Sequence, residues 1–367
     1  MDFSYFTLVS SPSPEADFDR IQDQIALAKL AEALDFRGIW LTEHYFTGES
    51  VYCDALTFAA ALATQTTRLR IGFAVVQLPF HHPVRLATQL ALLDNLSRGR
   101  IDVGVGKGTV YNEFEFVGHG LRSGDARDRM AEAQDILQRC FTATPFQHEG
   151  RYYQVGVPAL RPKPVQQPGP PIWRSVVSPA SFSECGRAGL PILTTRLPVA
   201  RIPERWTLYA EGLAASSLAA EAQALRLRQA GVWRNVYVAE SDAQAEDALA
   251  TALTETRRHM MHIRGALNPS DFKIDPAMLN LWSDPDADES TAIRDVMATG
   301  SLYGSPAHVR GQIEELRDAG VGHIVCQTAF GDMPFAKASQ AMRLFGEQVM
   351  PAFRDPAAAA SRERAAS

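Results

Sequence analysis

Short apolar segments alternate with longer amphipathic segments along most of the chain. Runs rich in β-branched and aromatic residues predict strands at Phe3–Val9, Gly38–Leu41, Leu69–Val76, Ile101–Val105, Ile172–Val177, Ile192–Thr195, Val232–Ala239 and His323–Gln327. Apolar residues at helical spacing predict helices at Ile21–Leu34, Ala55–Gln65, Val84–Leu96, Asp125–Phe141 and Pro179–Ala188. Strand and helix therefore alternate almost from end to end.

This alternation indicates a parallel sheet, because consecutive parallel strands need a crossover connection between them. Eight predicted strands in a chain of 367 residues favour closure into a (β/α)8 TIM barrel of the α/β class over an open sheet. We expect one domain over residues 1–355. Residues 356–367, rich in alanine and then charged, are expected to form a frayed tail.

Two segments interrupt the rhythm, and we expect them to be inserted loops after strands 4 and 7. Thr144–Pro171 is rich in proline and contains Gly150-Arg151-Tyr152-Tyr153, which is typical of an inserted loop or hairpin. Asn268–Gly300 is polar and rich in aspartate. Loops of this length in a domain are usually functional lids or disordered segments.

The net charge and the cysteine content limit the binding partners and the cellular location that we expect for this protein. The net charge is −6 and no basic run is present, so a nucleic-acid surface is not expected. The N-terminus lacks a signal-peptide pattern, and no apolar run is long enough to span a bilayer. Four widely spaced cysteines without a CxxC motif indicate reduced thiols and a cytoplasmic location.

The carboxyl ends of the predicted strands carry the candidate chemistry, because all of them open on one face of a parallel barrel. Strand two ends in Glu43-His44-Tyr45, and strand four ends in Gly104-Val105-Gly106-Lys107-Gly108. Strand five is followed by Ser178 and Pro179, which suit the N-cap and first position of a helix. That helix start and Lys107 make a plausible phosphate pocket, although Ser178 is equally suited to plain capping.

Other chemistries have little support in the sequence. The glycines of strand four do not form a GxGxxG fingerprint, and instead let a flat ring approach the backbone closely. His81-His82 lack a third ligand at metal-site spacing, so no metal is expected. A hydrolase is disfavoured, because no second carboxylate is clearly placed at an adjacent strand end, no GxSxG elbow is present, and Asp102 is expected to pair with a basic residue.

The residues resemble the bacterial luciferase-like flavin monooxygenases over nearly the whole chain. The matching segments, in order, are Ile39-Trp40-Leu41-Thr42-Glu43-His44-Tyr45-Phe46, Ile71-Gly72-Phe73-Ala74-Val75-Val76-Gln77-Leu78-Pro79, His82-Pro83-Val84-Arg85, Leu93-Asp94-Asn95-Leu96-Ser97-Arg98-Gly99-Arg100, Gly104-Val105-Gly106-Lys107-Gly108, Gly304-Ser305-Pro306, Ala319-Gly320-Val321 and Val349-Met350-Pro351.

The resemblance implies a dimeric TIM barrel that binds reduced FMN at its mouth. Reduced FMN would react with O2 to a C4a-hydroperoxide that oxidises a small or medium organic substrate, and a separate NAD(P)H:flavin reductase would supply it. His44 falls on the catalytic histidine, and Ala74-Val75 falls on a cis peptide behind the flavin. The residues implied for the phosphate and its surroundings are Lys107, Val177, Ser178, Ser181 and, as a further contact, Arg129.

Some positions depart from the light-emitting members. Gly106, which would lie beside the flavin, replaces a reactive cysteine, Tyr45 replaces a second histidine and Arg196 replaces a tryptophan. These departures imply a different substrate. Residues that line the substrate pocket, or alternatively pack in the core, are Tyr45, Phe73, Gln77, Tyr111 and Arg196. Arg196 is also suited to a substrate carboxylate or phenolate.

Two alternatives remain within the same superfamily. One is an oxidoreductase that uses the deazaflavin F420 for hydride transfer. The other is a flavin-binding protein without catalytic activity.

Overall fold

The computed structural model describes residues 1–354 and is built mainly from parallel strands and their crossover helices. The strands are β1 (Asp2–Thr7), β2 (Gly38–Leu41), β3 (Arg70–Gln77), β4 (Ile101–Gly106), β5 (Phe146–Glu149), β6 (Gln154–Val157), β7 (Ile172–Val176), β8 (Ile192–Thr195), β9 (Gly231–Val238), β10 (Ser301–Gly304) and β11 (His323–Gln327). The predicted tail over residues 356–367 lies outside the described residues.

The helices follow the strands in the expected order. They are α1 (Asp17–Ala33), α2 (Ala55–Gln65), α3 (Pro83–Leu96), α4 (Glu113–Gly118), α5 (Ala126–Thr142), α6 (Pro179–Arg187), α7 (Ile202–Ala214), α8 (Ala220–Gln229), α9 (Asp242–Leu267), α10 (Glu289–Gly300), α11 (Pro306–Asp318) and α12 (Phe335–Leu344). Side-chain caps fix several starts; the Asp54 carboxylate, for example, accepts from the first turn of α2.

Eight strands close into a parallel barrel in the order β1-β2-β3-β4-β7-β8-β9-β11, and β11 pairs back with β1. The predicted (β/α)8 barrel is therefore confirmed. The additional strand β10 pairs with the last residues of β9, from Asn235 to Val238, and Asn235 is also the last residue of β9 that pairs with β11. The sequence did not predict β10, because its four residues are too short for a periodic signal.

Alternation along each strand separates the barrel interior from the layer that packs on the helices. Trp40, Trp173, Leu193 and Val325 form a small buried cluster in the interior, and Ala74 packs against it. Phe73, the neighbour of Ala74, is fully buried in the main core instead. The structure therefore contradicts the prediction that Phe73 lines the substrate pocket, because the strand pleat turns its ring toward the helices.

A buried ion pair occupies the start of β3 and β4. Asp102 accepts from Arg70 Nε at 2.7 Å and from Arg70 Nη2 at 2.9 Å. The Trp173 indole also donates to Asp102 Oδ1 at 3.1 Å. The predicted pairing of Asp102 with a basic residue is confirmed. The carboxylate belongs to the amino-terminal end of the barrel, far from the strand ends that carry the candidate chemistry.

The two predicted insertions differ in structure. Thr144–Pro171 contains the antiparallel hairpin β5–β6, which confirms the hairpin interpretation. Asn268–Gly300 is irregular only in its first part, because helix α10 occupies its end and buries Ile293, Val296 and Met297. The expectation of one polar loop was wrong there, since the charges between these apolar residues masked their helical spacing. Helices α4, α7, α8, α9 and α12 were also not predicted.

All four cysteines are free. Among residues 1–354, none of the helices combines the length and the apolar character that crossing a bilayer requires.

Candidate active site

His44 lies just beyond β2, and its imidazole is held by a buried carboxylate. His44 Nδ1 and Glu115 Oε1 are 3.1 Å apart, and the same oxygen accepts from the Tyr45 backbone N–H at 2.9 Å. The Glu115 side chain is 0% exposed, whereas 16% of the His44 side chain remains accessible. The carboxylate therefore fixes the ring orientation while one edge of the ring can still meet a ligand.

Charge around His44 favours the imidazolium. Burial alone lowers the pKa of His44, but the charges of Glu49 and Glu115 and the hydrogen bond to Glu115 raise it to about 9. His44 Nε2 makes no hydrogen bond within residues 1–354. The ring can therefore hold a proton on the side that faces away from Glu115.

Sequence reasoning missed Glu115, because it lies 71 residues from His44 in the chain and outside any strand. It sits on the short helix α4, whose Glu113 and Glu115 are both buried. A glutamate between phenylalanines, soon after the glycines of strand four, was the available signal. Glu115 lies on a helix rather than at an adjacent strand end, and it serves the histidine rather than forming a carboxylate pair.

Glu43 anchors a second network on the other side of the loop. Its carboxylate accepts from the Tyr45 hydroxyl at 2.5 Å, from the Gln77 backbone N–H at 2.5 Å and lies 2.6 Å from His81 Nε2. Burial and then the Glu43 charge raise the pKa of Tyr45. Burial alone lowers the pKa of His81, but its bond to Glu43 raises it. These contacts tie the ends of β2 and β3 together.

The Gln77 side chain supports this network rather than lining an open pocket. It is 2% exposed, and its amide donates to the Glu43 carbonyl oxygen. Its own amide oxygen is buried without a partner. The prediction that Gln77 contacts substrate is therefore corrected. Tyr45 remains half-buried at the mouth, with its ring against Phe80 at 5.8 Å and His119 at 4.6 Å between centroids.

At the central part of the mouth, β3 and β4 carry small residues, and the Val75 side chain fills the space beside Gly106. A Cβ atom added to Gly106 would lie 2.5 Å from the Val75 side chain, and Gly108 has φ of +91°. The peptide between Ala74 and Val75 is cis, as the resemblance implies. This wall is suited to a flat ring that packs against backbone.

Lys107 and the start of α6, which the sequence predicts to form an anion pocket, follow the neighbouring strands β4 and β7. Ser178 caps α6 by accepting from the Ser181 N–H at 3.3 Å, with Pro179 at the first position. Val177, at the end of β7, is 65% exposed. Burial and the nearby charge of Arg127 lower the pKa of Lys107. A lysine and a helix start on neighbouring strand ends are elements that an anion site uses, and the phosphate pocket stays a prediction.

The Arg129 side chain lies against the segment between β5 and β6. Its guanidinium stacks on the rings of Tyr152 and Tyr153, at 4.6 Å and 5.8 Å from their centroids. A phosphate contact at Arg129 stays a prediction. Arg127, whose charge acts on Lys107, was not singled out from the sequence.

Arg196 and Tyr111 lie on another side of the mouth, where Arg264 joins them. The Arg196 guanidinium lies 4.7 Å from the Trp282 ring centroid, and the Arg264 guanidinium lies 5.1 Å from that of Tyr111. The Tyr111 hydroxyl donates to the Met278 carbonyl oxygen in the second insertion. Two predicted substrate residues are thus brought together with an arginine from the end of α9.

Among the described residues, no group of three or more histidine, cysteine, aspartate or glutamate side chains could hold a metal ion. His81 is engaged with Glu43, and the His82 ring stands edge-on to Tyr153 at 5.9 Å.

Comparison with known proteins identifies the family. The family model of luciferase-like monooxygenases matches residues 1–323. The limonene 1,2-monooxygenase of Rhodococcus erythropolis is 27% identical over 362 residues, which cover 96% of this chain and 87% of that protein. The oxygenase component of a flavin-dependent trigonelline monooxygenase from Acinetobacter baylyi is 29% identical over 198 residues, which cover 54% and 55%.

Solved structures agree with this assignment. A monooxygenase from Streptomyces bottropensis has a TM-score of 0.79 at 26% identity and covers 96% of this chain and 100% of its own. Two structures below 25% identity share the fold alone. The oxygenating constituent of 3,6-diketocamphane monooxygenase from Pseudomonas putida, in complex with FMN, has a TM-score of 0.73 at 21% identity, with coverage of 97% and 99%. An F420-dependent secondary alcohol dehydrogenase has a TM-score of 0.70 at 18% identity, with coverage of 96% and 99%. The chain belongs to the luciferase-like monooxygenase family and is a flavin-dependent monooxygenase.

Proposed function

We propose that this protein is the oxygenase component of a two-component system that uses reduced FMN and O2 to oxidise a small or medium organic substrate. The observation that carries the proposal is His44, held at the barrel mouth by the buried Glu115 carboxylate at 3.1 Å. The named relatives that are monooxygenases, one of them an oxygenase component, support the same reaction class.

The residues at the mouth fit reduced FMN. Lys107, Arg127 and the start of α6 with Ser178 and Ser181 would hold the phosphate. Val177 is exposed beside this helix start, and Ala74, Val75 and Gly106 would lie against the ring system; the missing Cβ of Gly106 leaves room for the Val75 side chain in this wall. When bound, reduced FMN supplies the activation of O2, which protein side chains alone do not provide.

His44 has the properties of a proton donor in this setting. A pKa of about 9 keeps the ring protonated at neutral pH, and Glu115 orients it through Nδ1. Proton transfer from the free Nε2 to a reacting oxygen would then be general acid catalysis, worth typically ~10²–10⁴-fold in rate. Tyr45 and the Glu43 network hold the loop that carries His44 in place.

The first part of the second insertion is proposed as a lid over the mouth. Asn268 Nδ2 donates to the Tyr111 carbonyl oxygen at 2.9 Å, and Asn268 Oδ1 accepts from the Phe114 N–H at 3.1 Å. Trp282 covers Arg196. A lid attached at these points would exclude water from the site, which strengthens the electrostatic interactions inside it.

The same proposal includes the oligomeric state of the protein and the source of its reduced cofactor. A homodimer would bury exposed apolar side chains such as Leu92 and Leu96 on α3, at 50% and 44% exposure. A separate NAD(P)H:flavin reductase would supply the reduced flavin, as the two-component relative suggests. A cytoplasmic location is consistent with four free thiols.

The decisive experiment is an anaerobic titration of the protein with reduced FMN, followed by exposure to isotopically labelled O2. A panel of ketones, terpenes and aromatic acids is added, and products are analysed by mass spectrometry. We expect saturable FMN binding and the incorporation of one labelled oxygen atom into a product. The His44→Ala variant serves as the negative control for chemistry with binding retained.

The same assay, run in parallel with reduced F420 in place of reduced FMN, separates the alternatives. Hydride transfer with F420 and no oxygen incorporation would establish the F420-dependent alternative, for which the fold likeness to an F420-dependent dehydrogenase is the supporting observation. Flavin binding without product from any member of the panel would favour a flavin-binding protein without this activity.

A further inference from the structure

Arg196 is a partly buried cation without an anionic partner. Its guanidinium lies 4.7 Å from the Trp282 ring centroid and 5.6 Å from that of Trp233, but it makes no hydrogen bond or ion pair within residues 1–354. Its backbone has φ of +46°, a conformation that non-glycine residues adopt rarely and mainly where the surroundings enforce it. The fold therefore holds this side chain in place without giving it an acceptor.

Two further donors near Arg196 also lack partners. Arg264 donates through Nε to Asn112 Oδ1 at 3.0 Å, but its Nη1 is buried without a hydrogen-bond partner. The Trp233 indole Nε1 is likewise buried and unpartnered. An unsatisfied buried donor is costly to a fold, so several in one region indicate a missing acceptor.

The electrostatics of this region are those of an anion site. Burial lowers the pKa of Arg196 to about 10; the charge of Asp295 opposes this effect, and the charge of Arg264 adds to it. Burial also lowers the pKa of Arg264, against the charges of Glu49, Tyr111 and Glu115. Asp295 is exposed and makes no ion pair with either arginine. A negatively charged ligand between the arginines would relieve their mutual repulsion.

The walls of the region are aromatic. Trp233 and Trp282 flank Arg196, the Tyr111 ring lies against Arg264, and the Phe6 ring stands edge-on to Trp233 at 5.8 Å. Aromatic side chains pack well against a flat ring, and guanidinium groups bind carboxylates through paired hydrogen bonds. The combination of both features selects for a ligand that is aromatic and anionic.

We propose that Arg196 and Arg264 bind the carboxylate of an aromatic substrate, whose ring packs against Trp233, Trp282 and Tyr111. This inference rests on the proposed function, because it assigns the substrate class of the same site. The FMN phosphate has its own proposed pocket at Lys107, Arg127 and the start of α6. Arg264 also acts electrostatically on His44, so a substrate anchored here lies on the histidine side of the mouth.

The test measures binding of benzoate, 4-hydroxybenzoate and 2-naphthoate against their uncharged amides, with and without FMN. Tryptophan fluorescence follows binding, because two tryptophans flank Arg196, and calorimetry gives the affinities. The variants are Arg196→Gln, which removes the charge, and Arg196→Lys, which keeps it. Arg201→Gln is the matched control, since Arg201 lies in the same connection, is exposed and pairs with Glu204 at 3.1 Å.

We expect at least one acid to bind about ten-fold more tightly than its amide, which corresponds to about 1.4 kcal/mol. Arg196→Gln should remove this preference, Arg196→Lys should retain part of it, and Arg201→Gln should leave it unchanged. FMN affinity should be the same in all variants. Acids and amides that bind equally, or acids that do not bind at all, would overturn the proposal.

Two outcomes separate this inference from the proposed function. If Arg196→Gln weakens FMN binding and leaves acid binding intact, the arginine serves the flavin and the inference is overturned. If the wild-type protein takes up no FMN but still binds acids through Arg196, the anion site is supported and the proposed FMN-dependent function fails.

Discussion

Glu115 Oε1 lies 3.1 Å from His44 Nδ1, and the carboxylate that makes this contact is completely buried. Its second oxygen has no hydrogen-bond partner. A buried carboxylate with one free oxygen is costly unless a cation stands beside it. The imidazolium form of His44 meets this need, and the pair therefore fixes both the orientation and the protonation state of the histidine.

Replacing His44 by alanine should abolish most product formation and leave FMN binding intact. The imidazole is needed for proton transfer, and its loss should lower turnover by roughly 10²–10⁴-fold. Turnover is measured as product yield with reduced FMN and the substrate found in the panel. A separate titration measures FMN binding. His82→Ala is the control, because His82 is exposed at the start of α3 and should behave as wild type. Unchanged turnover in His44→Ala would refute the assigned role.

Glu115→Gln should lower the pKa of His44 from about 9, because the charge that favours the imidazolium is lost. A histidine pKa raised above 6.5 on folding stabilises the protein below pH 6.5, and this contribution disappears as the pH rises through about 9. In the Glu115→Gln variant this stabilising contribution should disappear at a lower pH than in the wild type. NMR titration of the His44 ring measures both midpoints. Glu113→Gln, a buried glutamate on the same helix, should leave the midpoint unchanged; equal midpoints for Glu115→Gln and wild type would contradict the prediction.

Lys107→Ala and Arg127→Ala should each weaken FMN binding by about ten-fold or more, since charge-assisted hydrogen bonds to a phosphate are worth roughly 1.5–3 kcal/mol. Arg129→Ala is the matched control from the same helix, and its affinity should stay near that of wild type, because Arg129 stacks on Tyr152 and Tyr153. Anaerobic calorimetric titration with reduced FMN gives the affinities of the three variants and the wild type. The phosphate pocket would be misplaced if Arg129→Ala produced the larger loss.

Asp102→Asn should destabilise the fold by roughly 3–5 kcal/mol, because it leaves the partly buried Arg70 without its counter-charge. Burial alone raises the pKa of Asp102, but the charge and hydrogen bonds of Arg70 lower it below its usual value. The stabilisation is therefore present above the unfolded-state pKa and is lost as the pH falls through the lower folded-state value. Urea unfolding at neutral and acidic pH should show a smaller acid-induced loss in the variant.

Asp128→Asn provides the matched control for this experiment. Asp128 and Arg151 lie 3.7 Å apart and are each 67% exposed, so removing this pair should change the free energy of unfolding by less than about 1 kcal/mol. Equal effects of the two substitutions would show that the Arg70–Asp102 pair does not stabilise the barrel.

The architecture was accessible from the sequence wherever periodicity was strong. Strands β2, β8 and β11 and helix α2 have the predicted bounds, because continuous apolar runs and clear caps mark them. Helix α10 and strand β10 were not predicted, since their few buried residues lie within polar sequence. Those elements form only where the rest of the barrel supplies the surface that buries them.

The residues of the candidate site can likewise be separated into those that the sequence predicted and those that only the structure revealed. The sequence by itself determined the groups placed at strand ends, namely His44, Lys107 and Ser178, because the carboxyl ends of parallel strands must meet on one face. Only the tertiary structure decided which distant residues join them. Glu115 reaches His44, Arg264 reaches Tyr111, and Arg127 rather than Arg129 acts on Lys107. Strand periodicity fixes a residue's face within its own element, whereas the partners of a side chain depend on loop and helix packing that local sequence does not encode.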